Sequence, residues 1–372
     1  MRLVAIALVL LAGGCPYCPV EYTPPGAYAT RWEEADALFH QDPRWLGGDG
    51  AYSIDLRNGK SVWLFGDSFV ATSAAHTRRE SKLVRNSIAV MDGRDPITAT
   101  MDFAWREDGT GPGSFFPGVG DHWLWPVDGY RLEGGPLLIF FAELRPTPGV
   151  GLGFASAGFR ALRVPNPDDP PARWTLEPVR SLPAPADLNA TVGNCVGAQG
   201  DFLYVVSVDG AQTHNGRMAR WPLFVVGEGD LTEPEWLVDG RWIGQAELTK
   251  NPDVLLDHVS TECSLTGDGY GGWIYVGMRG FGAAEIELRP AEHIDGHWLA
   301  PQNIFTPVGT FTYAGKAHGE LAPNGRKDAY SYDLVATYAD NSFTFDDLLD
   351  PANEQTLYWP HFVRISFSYP VC

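Results

Sequence analysis

Two aspartates and a glutamate are the side chains in this sequence whose placement suggests chemistry. The stretch from Trp45 to Ser68 reads WLGGDGAYSIDLRNGKSVWLFGDS and contains Asp49 and Asp67. Residues 50–56 and 61–66 are β-like runs rich in Tyr, Ile, Val, Trp, Leu and Phe, separated by Arg57-Asn58-Gly59-Lys60. Asn-Gly signals a hairpin, because a type I′ turn needs positive φ at both central residues. A turn centred on Asn58-Gly59 predicts Gly50 opposite Asp67 and Asp49 opposite Ser68, so both carboxylates meet at the open end of one hairpin. Gly47, Gly48, Gly50 and Gly66 leave bare backbone around them, which permits close approach of a ligand. Ionisable groups brought together in this way are characteristic of functional sites. The plain alternative is a pair of turn or strand-end aspartates.

Glu262 adds a third acid, flanked by the small or apolar Cys263 and Leu265. Cleavage of a glycosidic bond requires one carboxylic acid to protonate the leaving oxygen and one carboxylate to activate water or attack. Burial or a nearby like charge keeps such an acid protonated at neutral pH. A strand-edge glutamate satisfied by backbone amides is the alternative for Glu262.

These acids belong to a recurring pattern of a polar residue, a short β run, a Gly-rich turn and an aromatic-centred apolar strand. The openings fall at Asp49, Asp128 (after Trp125), Asn194, Glu262 and Glu320, spaced by about 79, 66, 68 and 58 residues, room for four strands and a loop each. Five such units predict an all-β, five-bladed β-propeller whose innermost strands begin around one funnel; stacked sandwiches are the alternative. Lys316, His318 and Glu320 alternate, so a strand would put them on one face. The candidate substrate contacts are therefore Trp125, Asp128, Asn194, Lys316, His318 and Glu320.

The N-terminus reads MRLVAIALVLLAGGC, one basic residue, an apolar run and small residues before Cys15. This is a secretory signal, too short to span a membrane as a helix. Its Gly-Gly-Cys ending resembles a bacterial lipoprotein signal, which implies residues 1–14 as signal peptide and lipidation at Cys15. The departure is Ala12, where the usual residue is Leu. Residues 15–44, with five prolines, read as a lipidated tether with a short helical or irregular segment around Glu33 to Phe39, and 45–372 as the propeller domain. The expected location is the periplasm or cell surface, held by the lipid anchor alone.

The formal charge of −19 argues against nucleic acid or an anionic membrane face as the main partner. Thirteen Trp, fourteen Tyr and nineteen Phe suit a β-rich core and also sugar stacking. An exported compartment permits disulfides, but Cys18, Cys195, Cys263 and Cys372 show no metal or redox spacing. Cys195 and Cys263 occupy matching places in the repeat and read first as buried small apolar residues, able to pair only if neighbouring strands bring them close. No metal or cofactor is expected from ligand spacing, and a monomer is expected. Residues 71–85 concentrate His76, Arg78, Arg79, Lys82 and Arg85 directly after Asp67, either as a clamp for an anionic or polyhydroxylated ligand or as a solvated loop. The chain has no G-x-S-x-G elbow.

The motifs WLGGDGAYSIDL, VWLFGDSF, HWLWPVDG, RWPLFVV, TECSLT, YAGKAHGEL and YWPHFVRISF occur in an order that resembles the bacterial domain-of-unknown-function family 4185, members of which are endo-D-arabinanases. The resemblance covers about residues 45–366. That group is similar to the five-bladed propeller glycosidases of glycoside hydrolase family 43. The resemblance implies Asp49 as general base and Glu262 as general acid, with Asn194 where a helper Asp would stand, leaving that role to Asp67 or Asp128. It also leaves room for a structural central cation. The implied function is an envelope-tethered glycosidase acting on a furanosidic or related polysaccharide or oligosaccharide. The alternative is a glycan-binding lipoprotein that has lost the chemistry.

Overall fold

The computed structural model describes residues 26–149, 153–185, 188, 190–210, 214–279, 285–309, 311–321, 325–326 and 331–368. The expected signal segment, Cys15, Cys18 and Cys372 lie outside them. Five antiparallel sheets follow one another along the chain. The first runs Tyr52–Asp55, Lys60–Phe65, Ser87–Asp92, Thr100–Ala104, and the second Trp123–Arg131, Leu137–Pro146, Phe154–Val164, Glu177–Pro178. The third is Ala190–Gln199, Phe202–Asp209, Gly216–Pro222, Glu235–Val238, Arg241–Gly244; the fourth is Cys263–Gly267, Trp273–Met278, Ile286–Ala291, Gln302–Phe305. The fifth starts at Phe311–Ala317, continues through Ser331–Asn341 and Pro360–Ser368, and is completed on its outer edge by Gly26–Arg31. Gly325–Arg326 pairs beside Ser331–Asn341.

The second strands, such as KSVWLF at 60–65 and LLIFFAE at 137–143, are buried almost throughout, as near-continuous apolar runs must be when both faces of a sheet are covered. Their side chains interleave between sheets. Leu64, Ile88, Phe140, Phe141, Trp221 and Trp236 belong to one core, while Phe39, Trp45, Trp63, Phe65 and Phe362 seal the first sheet against the fifth.

The first strand of each sheet packs against that of the next, and polar links between them close the circuit. Gly129 in the second sheet has room only for hydrogen, since a Cβ would sit 2.6 Å from Ile54 Cδ1 of the first. Val196 N–H of the third sheet donates to Asp128 Oδ2 of the second (2.8 Å), and Asn194 Nδ2 donates to the Thr261 carbonyl entering the fourth (2.7 Å). Ala317 N–H of the fifth donates to Ser264 Oγ of the fourth (2.8 Å), and Lys316 Nζ donates to the Gly50 carbonyl entering the first.

Four expectations are corrected. The hairpin register is one residue away from the Asn-Gly reading: Tyr52 pairs with Leu64 and Asp55 with Ser61, and the positive φ values fall on Arg57 (60°) and Gly59 (89°). This shift leaves Asp49 and Asp67 directly across from each other, with Gly48 opposite Ser68. The expected tether does not extend to residue 44, because Gly26–Arg31 pairs with Val363–Ser368, whereas the helical segment expected around Glu33 to Phe39 is present as a 3₁₀ helix at Glu33–His40 that packs Leu38 and Phe39 into the core. Glu320 does not open an inner strand; Phe311–Ala317 does, and Glu320 lies past its exit. Asp128 and Asn194 lie inside their strands, beside bulges, rather than at the openings.

Candidate functional site

At the end of the ring where the first inner strand begins, a small sheet of Trp45–Gly48, Ser68–Ala71 and Ser81–Val84 frames Asp49 and Asp67. Asp49 is fixed through its backbone, its N–H toward the Asp67 carbonyl (3.4 Å) and its carbonyl accepting from Gly66 N–H (3.0 Å). Its side chain lies so close over Gly66 that a Cβ there would stand 2.4 Å from Oδ1. Two phenols converge on the other oxygen: Tyr313 OH at 2.8 Å and Tyr358 OH at 3.1 Å from Oδ2. Tyr358 is held at φ 64°, a backbone conformation that costs energy in a non-glycine residue and is often found at functional sites.

Burial, reinforced by the charges of Asp67 and Glu262, pushes the Asp49 carboxyl up to about 8 against the opposing pull of the two tyrosines. Burial also raises Asp67, even though Arg85 Nη1 (2.9 Å to Oδ2) and Trp125 Nε1 (2.8 Å to Oδ1) favour its anion. Glu262 is raised by burial and drawn back by Lys316. Among the described residues no side chain hydrogen-bonds the Glu262 carboxyl. The three acids therefore share one electrostatic environment, in which protons are held above the usual carboxylate range.

Lys316 lies fully buried beneath them, its Nζ donating to the Gly50 and Ala314 carbonyls and lying 4.5 Å from the centre of the Tyr52 ring. Beside Asp67, Trp125 and Trp123 are half-buried and pack edge-on with Phe154, and Arg85 covers the Trp123 ring at 4.5 Å. Arg85 and Trp123 also line a cavity of about 600 Å³ together with Arg106, Asp108, Ser114 and His122. Aromatic faces beside polar groups suit a polyhydroxylated ligand.

Of the sequence-derived candidates, Asp49, Asp67, Glu262, Trp125 and Lys316 come together. Asp128 spends Oδ1 on Gly129 N–H and Oδ2 on Val196 N–H, and Asn194 spends its amide on Thr261 and Val208, so both stitch the ring. His318 is buried between Ser53 Oγ (2.7 Å) and Thr337 Oγ1 (2.8 Å) against Trp63, and burial holds it well below the usual imidazole range, hence neutral. Glu320 lies with Ser53, Asp55 and Thr266 on a cavity of about 350 Å³ at the far ends of the inner strands. Of the basic loop only Arg85 reaches the acids. Arg78 is buried as a brace on the Leu46, Leu348 and Leu357 carbonyls. Among the described residues no group of three or more His, Cys, Asp or Glu is placed to hold a metal ion.

Sequence reasoning passed over Tyr313 and Tyr358. Each opens a motif quoted above, YAGKAHGEL and YWPHFVRISF, and that position was the available signal.

The fold is similar to that of a candidate hydrolase from Bacteroides ovatus ATCC 8483, with a TM-score of 0.69 at 15% identity over 91% of this chain and 90% of that one. Lower similarity, at TM-scores of 0.48 and 0.47 and 12% identity, is found to the catalytic domain of a Coprinopsis cinerea GH62 α-L-arabinofuranosidase and to the Podospora anserina α-L-arabinofuranosidase PaAbf62A, each over 89% of this chain and 94% of the other. No curated protein matches the chain. The family model described as "Domain of unknown function (DUF5005)" matches residues 33–367, and the chain belongs to that family.

Proposed function

We propose that the five sheets are the blades of a five-bladed β-propeller and that the chain is a glycoside hydrolase acting on a furanosidic, arabinan-like or related bacterial polysaccharide. The observation that carries this reading is the group of Asp49, Asp67 and Glu262 at one mouth of the ring, with the Asp49 proton held to about 8. Hydrolysis through an oxocarbenium-like transition state needs a proton donor and a carboxylate on the same small volume. Asp49 is the proton-holding carboxyl of the resting protein. Glu262, free of side-chain donors and made more basic by burial, is the carboxylate that activates water. The motif resemblance assigned these two roles the other way round. Asp67, oriented by Trp125 and Arg85, keeps negative charge beside the reacting carbon, where the transition state develops positive charge. The motif resemblance to the endo-D-arabinanase-like family 4185 supports the same substrate class.

The test is incubation of the purified protein with arabinan, galactan and other bacterial glycans, reading new reducing ends. Release of reducing ends by the wild type, abolished in both Asp49→Asn and Glu262→Gln, is expected. Activity surviving both substitutions assigns the chemistry elsewhere. Binding without cleavage favours the glycan-binding lipoprotein, a reading helped by Asn194 standing where a helper Asp is expected. The proposed envelope tether rests on Cys15, and Cys15→Ser should release the protein from the membrane fraction of its native host. Unchanged partition counts against lipidation.

A further inference from the structure

Cys195 and Cys263 lie on the first strands of the third and fourth sheets, one residue after Asn194 and Glu262 respectively. Both are fully buried, and their Sγ atoms stand 2.9 Å apart. Non-bonded heavy atoms rest at about 3.5–4.0 Å even when they are carbon, so two separate thiols are compressed here. A disulfide needs an S–S bond of about 2.05 Å, less than one ångström of closure. The strands around the pair are already locked together. Asn194 Nδ2 donates to Thr261, Tyr52 OH lies 3.3 Å from both the Asn194 and Thr261 carbonyls, and Val206, Val208, Met218, Val259 and Tyr275 share the cluster in which the sulfurs are packed.

We propose that Cys195 and Cys263 are joined by a disulfide, a covalent staple between the third and fourth sheets that fixes the strand start carrying Glu262. In its formation the two thiols lose two protons and two electrons and one S–S bond forms. The electron acceptor is a disulfide, that of oxidised glutathione or of a thiol–disulfide oxidoreductase, which is reduced to two thiols. Complete burial in an apolar cluster pushes the Cys195 thiol up and shields the pair, so the exchange takes place before the ring has closed over it. The cross-link spans the whole third sheet, from its first strand to the start of the fourth, so it constrains a long loop of the unfolded chain.

The test uses the full chain, refolded from denaturant in a glutathione redox buffer, then unfolded in N-ethylmaleimide without reductant and mapped by peptide mass. The peptides bearing Cys195 and Cys263 should be recovered as one species, lighter than their sum by two hydrogens, that separates into two alkylatable peptides after reduction. Recovery of both cysteines alkylated, or of either one joined to Cys18 or Cys372, overturns the proposal. Reductant added during refolding should lower the midpoint of thermal unfolding by several degrees in the wild type and leave that of the Cys195→Ala/Cys263→Ala variant unmoved. An equal shift in both proteins also overturns it.

Discussion

The hydroxyl of Tyr358 stands 3.1 Å from Asp49 Oδ2 and 3.1 Å from the main-chain carbonyl of Asp67. One hydroxyl proton cannot serve both acceptors at once. When Asp49 is ionised, Tyr358 can donate to it; when Asp49 is protonated, Tyr358 can donate to the carbonyl and accept the Asp49 proton on its own oxygen. Tyr313 is less adaptable. Its oxygen accepts from Asn341 Nδ2 (3.2 Å), so its single proton goes to Asp49. Tyr358 serves both protonation states of the acid, whereas Tyr313 favours only the anion.

The pH dependence of activity follows from this arrangement. With Asp49 as proton donor, kcat/KM falls as pH rises through about 8, the value to which the carboxyl is pushed. Tyr313→Phe removes a donor to the anion and should move that alkaline limb to higher pH. A limb that rises toward pH 8 would make Asp49 the base instead.

Stability carries the same signature with a defined sign. A carboxyl whose folded-state pKa is raised stabilises the fold fully below its unfolded value of about 4, and that contribution is lost as pH climbs to the folded value near 8. Asp49→Asn, neutral throughout, should therefore match the wild type near pH 4 and exceed it by about 2–4 kcal/mol above pH 8 in urea unfolding. The same variant should lose about 10²–10⁴-fold in rate. Equal stability of the two proteins across this pH range would contradict the raised pKa.

Gly66→Ala isolates the positioning of Asp49. The added methyl meets only the carboxyl, 2.4 Å from Oδ1, with no other contact nearer than 3.5 Å. The side chain must swing off the two tyrosines, and a displacement of that size costs on the order of 10²-fold in activity. Circular dichroism and the unfolding midpoint should change little. Full activity in this variant would show that the present Asp49 geometry is dispensable.

Lys316→Met removes the ammonium from the Gly50 and Ala314 carbonyls at a position that is 1% exposed. Buried acceptors left without a donor cost about 1–3 kcal/mol each, so a destabilisation of ~2–4 kcal/mol in denaturant unfolding is expected. Glu262, deprived of its cationic neighbour, should also become a weaker acid. A variant as stable as the wild type would mean that water or backbone movement satisfies both carbonyls.

The recurring strand and turn pattern made the five sheets and the convergence of Asp49, Asp67 and Glu262 legible in the sequence, because short apolar, aromatic-rich runs and the Gly-rich turns between them are local signals. The hairpin register was not legible. Arg57 adopts the left-handed region that the Asn-Gly rule reserved for Asn58, and the tertiary pairing with Ser87–Asp92 fixes the strand beyond it. Asp128, Asn194 and His318 were polar residues at the right repeat positions, but polarity alone does not reveal whether a side chain faces ligand or a neighbouring strand's amide. Tyr313 and Tyr358 lie 264 and 309 residues from Asp49 along the chain, a separation across which no local pattern operates.

The pairing of Gly26 with Ser368 and of Arg31 with Val363 joins segments that are far apart along the chain. The outer edge of the fifth sheet is Gly26–Arg31, bonded to Pro360–Ser368, so this segment waits for residues 363–368 to be made before it finds its partner. Contacts of that sequence separation are slow to form, and until they do the aromatic faces around Phe39, Trp63 and Phe362 have no cover. Until that pairing forms, the incomplete fifth sheet leaves a strand edge and apolar surface open to proteases and holdases, for longer the later residue 368 arrives. Once closed, Gly26 and Ser368 face each other on adjacent strands, and a short peptide bridging those two residues would allow the chain to be opened at a loop elsewhere without disturbing a single strand pair.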